Sequence, residues 1–287
     1  MRSTPDSPAS SYDVVIVGTQ LAPLLAGALL AKRGFRVLLL SQRDLPPTYE
    51  VLDGIRLPRE PFTFLAAGSP IAERIFSELA LHQLFRRRAS RIDPAFQVCL
   101  PRHRFELARA PEILEREIER EFPEVKRPVE DFLGRVARHD GLLDRVVDRE
   151  LTWPPQTFLE RREHARATTQ LPFGKHGAAL DPLVEFPEDH PFRRVVELPA
   201  RFADGMDPDH TTGLRLTRLF AAWRSGAAVL EGGYEALRRM LVESIRTHSG
   251  EVLEGEKVDA VHVRRGAVTG VRVAASGGHV GASWVLA

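Results

Sequence analysis

Residues 12–44 read YDVVIVGTQLAPLLAGALLAKRGFRVLLLSQRD and decide the fold of this 287-residue chain. The segment DVVIV, residues 13–17, is a continuous run rich in β-branched side chains, which is typical of a strand buried on both faces of a parallel sheet. Gly18 ends the run. Leu and Ala then predict a helix over residues 21–33, ended by Gly34, and residues 36–40 predict a second strand. The unit takes about 30 residues, the length expected of a right-handed parallel crossover.

The composition is that of an ordinary globular chain, and it excludes several kinds of site. Hydrophobic residues make up 43% of the chain and charged residues 28%. The 40 basic and 39 acidic residues leave a net charge of +1, which gives no support for a nucleic-acid partner. The single cysteine, Cys99, excludes an intrachain disulfide and any metal site that needs two thiolates. The histidines lack metal-ligand spacing, so we predict no metal site.

The N-terminal residues do not have the pattern of a targeting signal. Residues 1–11 are rich in Ser and Pro and lack an apolar core, which predicts a disordered leader rather than a signal peptide. The longest apolar run, residues 21–31, is followed by Lys32 and Arg33 and is too short to span a bilayer. We therefore predict no transmembrane segment and expect a cytoplasmic location.

The middle of the chain is predicted to be mainly helical. Amphipathic periodicity predicts helices over residues 71–88 and 129–148, and Pro111 suits the first position of another helix. We interpret the apolar stripe on that helix as core, and we expect the tryptophans and the cysteine to be buried. These residues are Leu114, Ile118, Phe122, Trp153, Trp223, Trp284 and Cys99.

The C-terminal part returns to a pattern of short strands. Gly232 and Gly233 precede a predicted helix over residues 234–248 and a short strand over residues 251–253. Three antiparallel strands, joined by Gly-bearing turns, are predicted after it. They cover residues 258–263, 267–273 and 279–281, and residues 283–286 begin one more apolar strand.

These segments, in this order, resemble the phytoene desaturase and amine oxidase branch of the FAD-dependent oxidoreductases. The likeness rests on residues 12–44 and on LEGGYEALRRMLVESIRTHSGEVLEGEKVDAVHV at residues 230–263, with GAVTGVRV after it. It rests more weakly on FELARAPEILEREIEREFPE at residues 105–124. The resemblance implies an α/β fold with a Rossmann-like FAD/NAD(P)-binding parallel sheet, a β-meander and an inserted, mainly helical domain. It also implies FAD as the cofactor, with Val258 against the adenine.

The resemblance also implies a division of the chain into domains. Residues 12–68 and 225–287 would form the Rossmann-like domain, and residues 69–224 the helical substrate domain. Family members continue beyond the strand that begins at Ser283, so the C-terminal part of the family fold is expected to be missing. A protein partner or a second copy would then complete the fold.

Several positions that contact the nucleotide in the family hold other residues here. In the fingerprint G-x-G-x-x-G, the first Gly makes the tight turn, the second lets the backbone approach the pyrophosphate, and the third lets the helix pack closely. These positions are Gly18, Gln20 and Pro23. The family's ribose-binding carboxylate is replaced by Ser41, and the Gly-Gly turn that follows is absent from residues 44–54.

We therefore predict a degenerate cofactor site in which FAD binding is weakened or lost. Buried hydrogen bonds to charged groups contribute about 1.5–3 kcal/mol each, so losing several would remove much of the affinity. The predicted cofactor-binding residues are Gly18, Thr19, Gln20, Leu21, Ser41, Gln42, Arg43 and Val258.

Two functions stay open at this point. The first is a divergent FAD-dependent oxidoreductase that acts on an apolar small molecule such as a polyene or isoprenoid. No catalytic residue is identified, since the flavin would carry the chemistry. The second is a non-catalytic binding or interaction protein on the same scaffold, as one part of a split or multi-subunit complex. The turn is also similar to that of the Rab GDP-dissociation inhibitors, which share this fold and bind prenylated protein without a flavin.

Overall fold

The computed structural model describes residues 11–41, 49–58, 63–171, 181–204, 212–274 and 277–287. The described residues form two compact units. The sheet unit comprises those within residues 1–62, 75–88 and 230–287, and the helical unit those within residues 63–74 and 89–229. Each unit has its own apolar core.

The described residues contain both strands and helices in mixed order. The strands are β1 Ser11–Val17, β2 Val37–Leu40, β3 Tyr49–Leu52, β4 Ile55–Pro58, β5 Thr63–Phe64, β6 Ala89–Arg91, β7 Gln97–Leu100, β8 His103–Glu106, β9 Ala228–Leu230, β10 Glu251–Leu253, β11 Val258–Arg264, β12 Ala267–Val273 and β13 His279–Leu286. The α-helices are α1 Leu21–Lys32, α2 Pro70–Glu78, α3 His82–Arg88, α4 Pro111–Glu121, α5 Lys126–Asp148, α6 Phe158–Thr168, α7 Pro191–Asp204, α8 Gly213–Gly226 and α9 Gly233–Thr247.

A six-stranded sheet organises the sheet unit. Its strand order is β10-β2-β1-β13-β12-β11. The first four strands are parallel, and β12 and β11 continue the sheet as antiparallel neighbours. The predicted parallel crossover from β1 through α1 to β2 is confirmed, as is the meander. Strand β1 begins at Ser11, the last residue that the sequence assigned to the leader.

The last strand of the sheet departs from the expectation. The sequence predicted two strands, over residues 279–281 and from Ser283 onward, but β13 is one continuous strand. Its first residues pair antiparallel with β12 and the following ones pair parallel with β1, so that Gly281 is opposite Gly270 on one side and Ser11 on the other. A single strand therefore joins the meander to the parallel strands.

Helices α1 and α9 pack closely on the sheet because α1 has no side chain at Gly27. A Cβ added there would lie 3.2 Å from Cδ1 of Ile245 on α9 and 3.4 Å from Cδ1 of Leu39 on β2. On the other face of the sheet, Tyr12, Val15 and apolar residues of β2 and the meander form a second buried cluster. Both faces of the parallel strands therefore carry apolar packing, as expected for such a sheet.

Residues 71–88 form two helices where the sequence predicted one. The break follows Glu78, and Ala80 within it has a positive φ of 58°. The ring of Phe76 on α2 stacks on Phe85 of α3, with centroids 4.5 Å apart. This hairpin of helices belongs to the sheet unit from residue 75 onward. The sequence-based boundaries assign the same residues to the helical domain, because amphipathic periodicity does not show which core a helix joins.

Aromatic and aliphatic side chains of α4, α5, α7 and α8 form the core of the helical unit. The predicted apolar stripe of α4 is buried there, with Leu114 at 3% and Phe122 just after the helix at 0% exposure. Trp223 is buried as expected, but the expectation is wrong for three residues that lie at the surface. These are Trp153, at 79% exposure, Trp284, at 69%, and the exposed Cys99.

Candidate functional site

The carboxyl ends of three parallel strands meet at one edge of the sheet. Strand β1 ends at Val17, β2 at Leu40 and β10 at Leu253, and these strands are neighbours. Residues just after parallel strands lie together at that edge, which is where open α/β sheets bind their ligands. The edge therefore brings together the turn after β1 and Ser41 after β2, two of the segments that the sequence singled out.

Gly18 makes the tight turn that follows β1. Its φ is +122°, a conformation that L side chains rarely adopt. Its amide donates a hydrogen bond of 2.7 Å to the Leu40 carbonyl, which fixes the turn against the end of β2. The structure thus gives Gly18 the role of the predicted turn glycine.

Thr19 and Ser41 lie side by side beneath this turn. Their relative exposures are 5% and 3%, and the Thr19 hydroxyl is 3.5 Å from the Ser41 hydroxyl. The Ser41 amide donates to the Leu253 carbonyl at 3.0 Å, and the Tyr234 hydroxyl donates to the Thr19 carbonyl at 3.4 Å. The polar groups at this position are therefore used within the fold. Tyr234 was missed in the sequence, although it directly follows the Gly-Gly pair at which α9 begins.

The first turn of α1 is aimed at the same edge of the sheet. Gln20 is the N-cap residue and makes no side-chain capping bond, and its carbonyl accepts the Leu24 amide. No acidic residue lies in the first turn, so the positive end of the helix dipole is not neutralised there. Pro23 occupies the third helical position and has no amide hydrogen. Among the described residues, the amides of Leu21 and Ala22 have no partner, and they remain as donors.

Residues 16–79 match the family model described as an NAD(P)-binding Rossmann-like domain. The crossover at the start of this chain has the Rossmann-type fold. No curated protein sequence matches the chain.

Solved structures with the same fold support this assignment. An oxidoreductase from Methanosarcina mazei aligns with a TM-score of 0.52 and 14% identity, covering 95% of this chain and 58% of the other. A protein from Pyrococcus furiosus gives 0.52 and 18%, covering 91% and 55%. Wild-type putrescine oxidase gives 0.51 and 17%, covering 98% and 58%. The fold implied by the resemblance to FAD-dependent oxidoreductases is confirmed, and the chain spans between half and two thirds of these structures.

The Rossmann-type unit fits a dinucleotide only in part. The turn at Gly18 and the free donors of α1 suit a pyrophosphate. Two features do not fit. Gln20 has an exposed side chain at the position of the second fingerprint glycine, where the absence of a side chain would let the backbone approach the pyrophosphate. Ser41 is buried and lacks the carboxylate that would bind the ribose. The close helix packing that the third glycine supplies is achieved one turn later, at Gly27.

The carboxylate that follows β10 is already paired. Glu254 accepts a hydrogen bond of 2.9 Å from Arg238 on α9, and Glu235 is 3.3 Å from the same guanidinium. Partial burial of Arg238 acts to lower its pKa, but the hydrogen bonds and charges of both carboxylates outweigh burial and raise the pKa. Glu254 is therefore engaged within the sheet unit and does not replace the carboxylate missing at Ser41.

The other predicted site residues have different outcomes. Val258 is 8% exposed, pairs with Val273 in the meander and packs in the buried cluster that contains Leu40. Gln42 and Arg43 lie outside the described residues. The contact of all of these residues with a cofactor stays a prediction.

The described part of the chain contains no group of three or more His, Cys, Asp or Glu side chains that could hold a metal ion. No described helix has both the length and the apolar character needed to cross a membrane.

Proposed function

We propose that this chain is a divergent FAD-dependent oxidoreductase-like protein in which dinucleotide binding is weakened or lost. The observation that carries the proposal is Ser41, which stands where the family's ribose-binding carboxylate would be. Ser41 is 3% exposed and contacts the Thr19 hydroxyl, so this position neither carries the charge nor offers an open hydroxyl. Gln20 and Pro23 add to the effect at the pyrophosphate.

The loss of affinity follows from the contacts that are replaced. A hydrogen bond to a charged group contributes about 1.5–3 kcal/mol, and two lost bonds correspond to roughly a hundredfold to ten-thousandfold in the dissociation constant. The donors that remain, the amides of Leu21 and Ala22 and the dipole of α1, are expected to give weak binding to phosphate groups.

Calorimetric titration with FAD tests the proposal. The wild type should bind weakly or not at all, and the triple variant Gln20→Gly, Pro23→Gly, Ser41→Glu should bind at least a hundredfold more tightly. A matched triple variant with Ser41→Gln has the same side-chain size without the charge, and it should recover much less. Tight FAD binding by the wild type would contradict the proposal.

A second candidate is a non-catalytic interaction protein on the same scaffold, which the surface of β13 favours. Trp284 and Leu286 are 69% and 43% exposed, and they lie in the part of β13 that pairs with β1 and follows its pairing with β12. Large apolar side chains exposed together are typical of a surface that a partner or a second copy covers. If a second copy covers this surface, light scattering should show an oligomer. If the surface is uncovered, the fluorescence of a hydrophobic dye should show strong binding. The double variant Trp284→Glu, Leu286→Glu should lose whichever of these two signals the wild type gives. A monomeric wild type that binds no dye would exclude this candidate.

If the cofactor is retained, the proposed reaction is oxidation of an apolar small molecule, as in the phytoene desaturase branch. In that case the flavin would supply the hydride chemistry. This assignment rests on the order of the sequence motifs.

A further inference from the structure

The first turn of α7, in the helical unit, is held by a histidine. His190 directly precedes Pro191, the first residue of α7, and so stands at the N-cap position, where a side chain can accept an amide of the first turn. The Phe192 amide donates a hydrogen bond of 3.2 Å to Nδ1 of His190. The His190 carbonyl also accepts the Arg193 amide at 3.0 Å. His190 therefore caps α7 through its ring.

The capping bond requires that Nδ1 of His190 carries no hydrogen. A neutral imidazole has one ring hydrogen, and the geometry places it on Nε2, which is 3.3 Å from a carboxylate oxygen of Glu124. A protonated ring has a hydrogen on both nitrogens and accepts no bond. Because the Phe192 amide can only donate, the capping bond and the charged ring exclude each other.

The hydrogen bonds of three other histidines do not have this property. Ring nitrogens of His103, His164 and His248 lie 3.1, 2.7 and 2.8 Å from backbone carbonyl oxygens. A carbonyl oxygen accepts a hydrogen bond from a neutral ring and from a charged ring alike. Protonation therefore breaks the bond at His190 and is compatible with the bonds of the other three.

The charged groups around His190 act in opposite directions. Glu124 attracts a charged ring, but its side chain is 57% exposed, so solvent screens the attraction. On α7, Arg193 carries a positive charge and is 2.9 Å from the Asp181 carboxylate. Other charged or titratable groups nearby are the exposed Glu188 and Asp189, and His103 with its partner Glu121, since the rings of His103 and His190 both contact Phe122.

Loss of the capping bond is expected to outweigh the attraction by Glu124. Phe192 is 1% exposed, and its amide would be left without an acceptor inside the helical unit. A buried donor without a partner costs more free energy than a screened surface pair contributes. The capped form should therefore become less favourable when the ring is charged.

Release of the first turn of α7 would loosen one wall of a cavity in the helical unit. This cavity has a volume of about 290 Å³ and is lined by α5, residues 181–185 and the start of α8. Arg193, in the first turn of α7, holds this segment, because its guanidinium donates to the Leu183 carbonyl at 2.7 Å and to the Asp181 carboxylate at 2.9 Å. Displacement of that turn would remove both bonds from the cavity wall.

We propose that His190 is a pH-sensitive latch on this cavity. At neutral pH the uncharged ring caps α7, and Arg193 holds residues 181–185 in place. As the pH falls, the ring takes up a proton, the capping bond is lost, and the first turn of α7 and the cavity wall open together. The charge of a histidine changes between about pH 5 and 8, which is the working range of the latch. The latch does not depend on the proposed dinucleotide function.

Amide hydrogen exchange, resolved by NMR, tests the latch. The readout is the protection factor of the Phe192 amide, the ratio of intrinsic to observed exchange rates, which removes the direct effect of pH on exchange. An exposed imidazole, with a pKa of about 6.5, is about ten times more often charged than neutral at pH 5.5. The wild-type protection factor should therefore fall about tenfold between pH 7.5 and pH 5.5. An unchanged or higher factor at pH 5.5, as expected if the pairing with Glu124 dominated, would overturn the proposal.

His190→Asn separates the cap from the charge. Asn is a favoured N-cap residue, and its amide oxygen accepts the same bond without titrating. This variant should protect the Phe192 amide at pH 7.5 and lose the tenfold fall at pH 5.5. His248→Asn is the matched control, since His248 bonds a carbonyl in the sheet unit, and it should respond as the wild type does. A tenfold fall that persists in His190→Asn would assign the response to another group and refute the latch.

Glu124→Gln tests the opposing ion pair. Without the carboxylate, the charged ring loses its attraction in the capped form, so the fall in protection should be at least as large as in the wild type. Disappearance of the response in Glu124→Gln would show that the ion pair carries it, and would overturn the assignment to the cap.

Two further amides report on the cavity wall. The Leu183 amide donates to the Asp181 carboxylate at 2.8 Å, and the Phe186 amide donates to the Leu183 carbonyl at 2.9 Å. Both should lose protection together with Phe192 at pH 5.5 in the wild type and keep it in His190→Asn. A change confined to Phe192 would contradict the opening of the cavity.

Discussion

Replacing Gly270 by alanine is expected to break the attachment of the meander to the parallel strands. Gly270 has a φ of +151°, and a Cβ added there would lie 2.1 Å from the Val280 carbonyl oxygen and 2.8 Å from Cε1 of His279. The strained backbone costs about 1–3 kcal/mol. Moving the Val280 carbonyl away costs about 1–3 kcal/mol more, so a loss of about 2–6 kcal/mol in the free energy of unfolding is expected.

Gly266 provides the matched control for this variant. It also has a positive φ, +79°, but a Cβ added there would meet nothing within 4 Å. Gly266→Ala should therefore lose only the backbone contribution, about 1–2 kcal/mol. Urea unfolding followed by circular dichroism measures both losses. If the two variants lose the same free energy, the close contact between β12 and β13 described here is wrong.

Three further predictions concern the helical unit. Thr157 and Glu160 form a capping box at the start of α6, and hydrogen bonds from the backbone at Thr157 and Gln156 lower the pKa of Glu160. Thr157→Ala should cost about 1 kcal/mol, because the cap is lost, but it should move the Glu160 pKa, measured by NMR titration, only slightly toward its usual value, because both backbone donors remain. In the wild type, the stabilisation by the ionised Glu160 carboxylate is present above the usual glutamate pKa of about 4.3. It is lost as the pH falls through the lowered pKa of Glu160 in the folded protein. Burial raises the pKa of Asp140 although Arg218 contacts it, so Arg218→Gln should raise it further. The destabilisation caused by Arg218→Gln should become smaller as the pH falls, because Asp140 takes up a proton. Urea unfolding at several pH values measures this trend. Its absence would show that the ion pair between Arg218 and Asp140 does not contribute to stability. Exposed Cys99 should react with a thiol reagent in the folded protein as readily as in urea, and strong protection would contradict the exposed position.

The parallel part of the fold could be predicted because its signals are local. A β-branched run, a turn glycine and an apolar helix within residues 12–44 specify the crossover, and the structure confirms it. Gly18 was predicted for the same reason, since only glycine suits its positive φ. The contact of Thr19 with Ser41 joins residues 22 positions apart, so it needed the strand pairing as well as the motif.

The features that were not predicted depend on tertiary contacts. Residues 75–88 join the sheet unit because Phe76 and Phe85 pack there, and periodicity cannot indicate that choice. Strand β13 pairs on both sides, and a sequence pattern of two short apolar runs does not reveal one continuous strand. Trp153 and Trp284 are exposed although aromatic residues are usually buried, because composition does not indicate which face of an element is covered.

The flavin content of the purified protein tests the central claim most directly. Absorbance in the flavin bands, compared with the protein absorbance after overnight incubation with excess FAD and removal of the free cofactor, gives the fraction of chains that hold it. Because Gln20 occupies the N-cap position of α1 and Ser41 replaces a carboxylate, we expect the fraction of chains that retain FAD to be close to zero. Retention of one FAD per chain would show that the turn after β1 binds the cofactor tightly and would contradict the account.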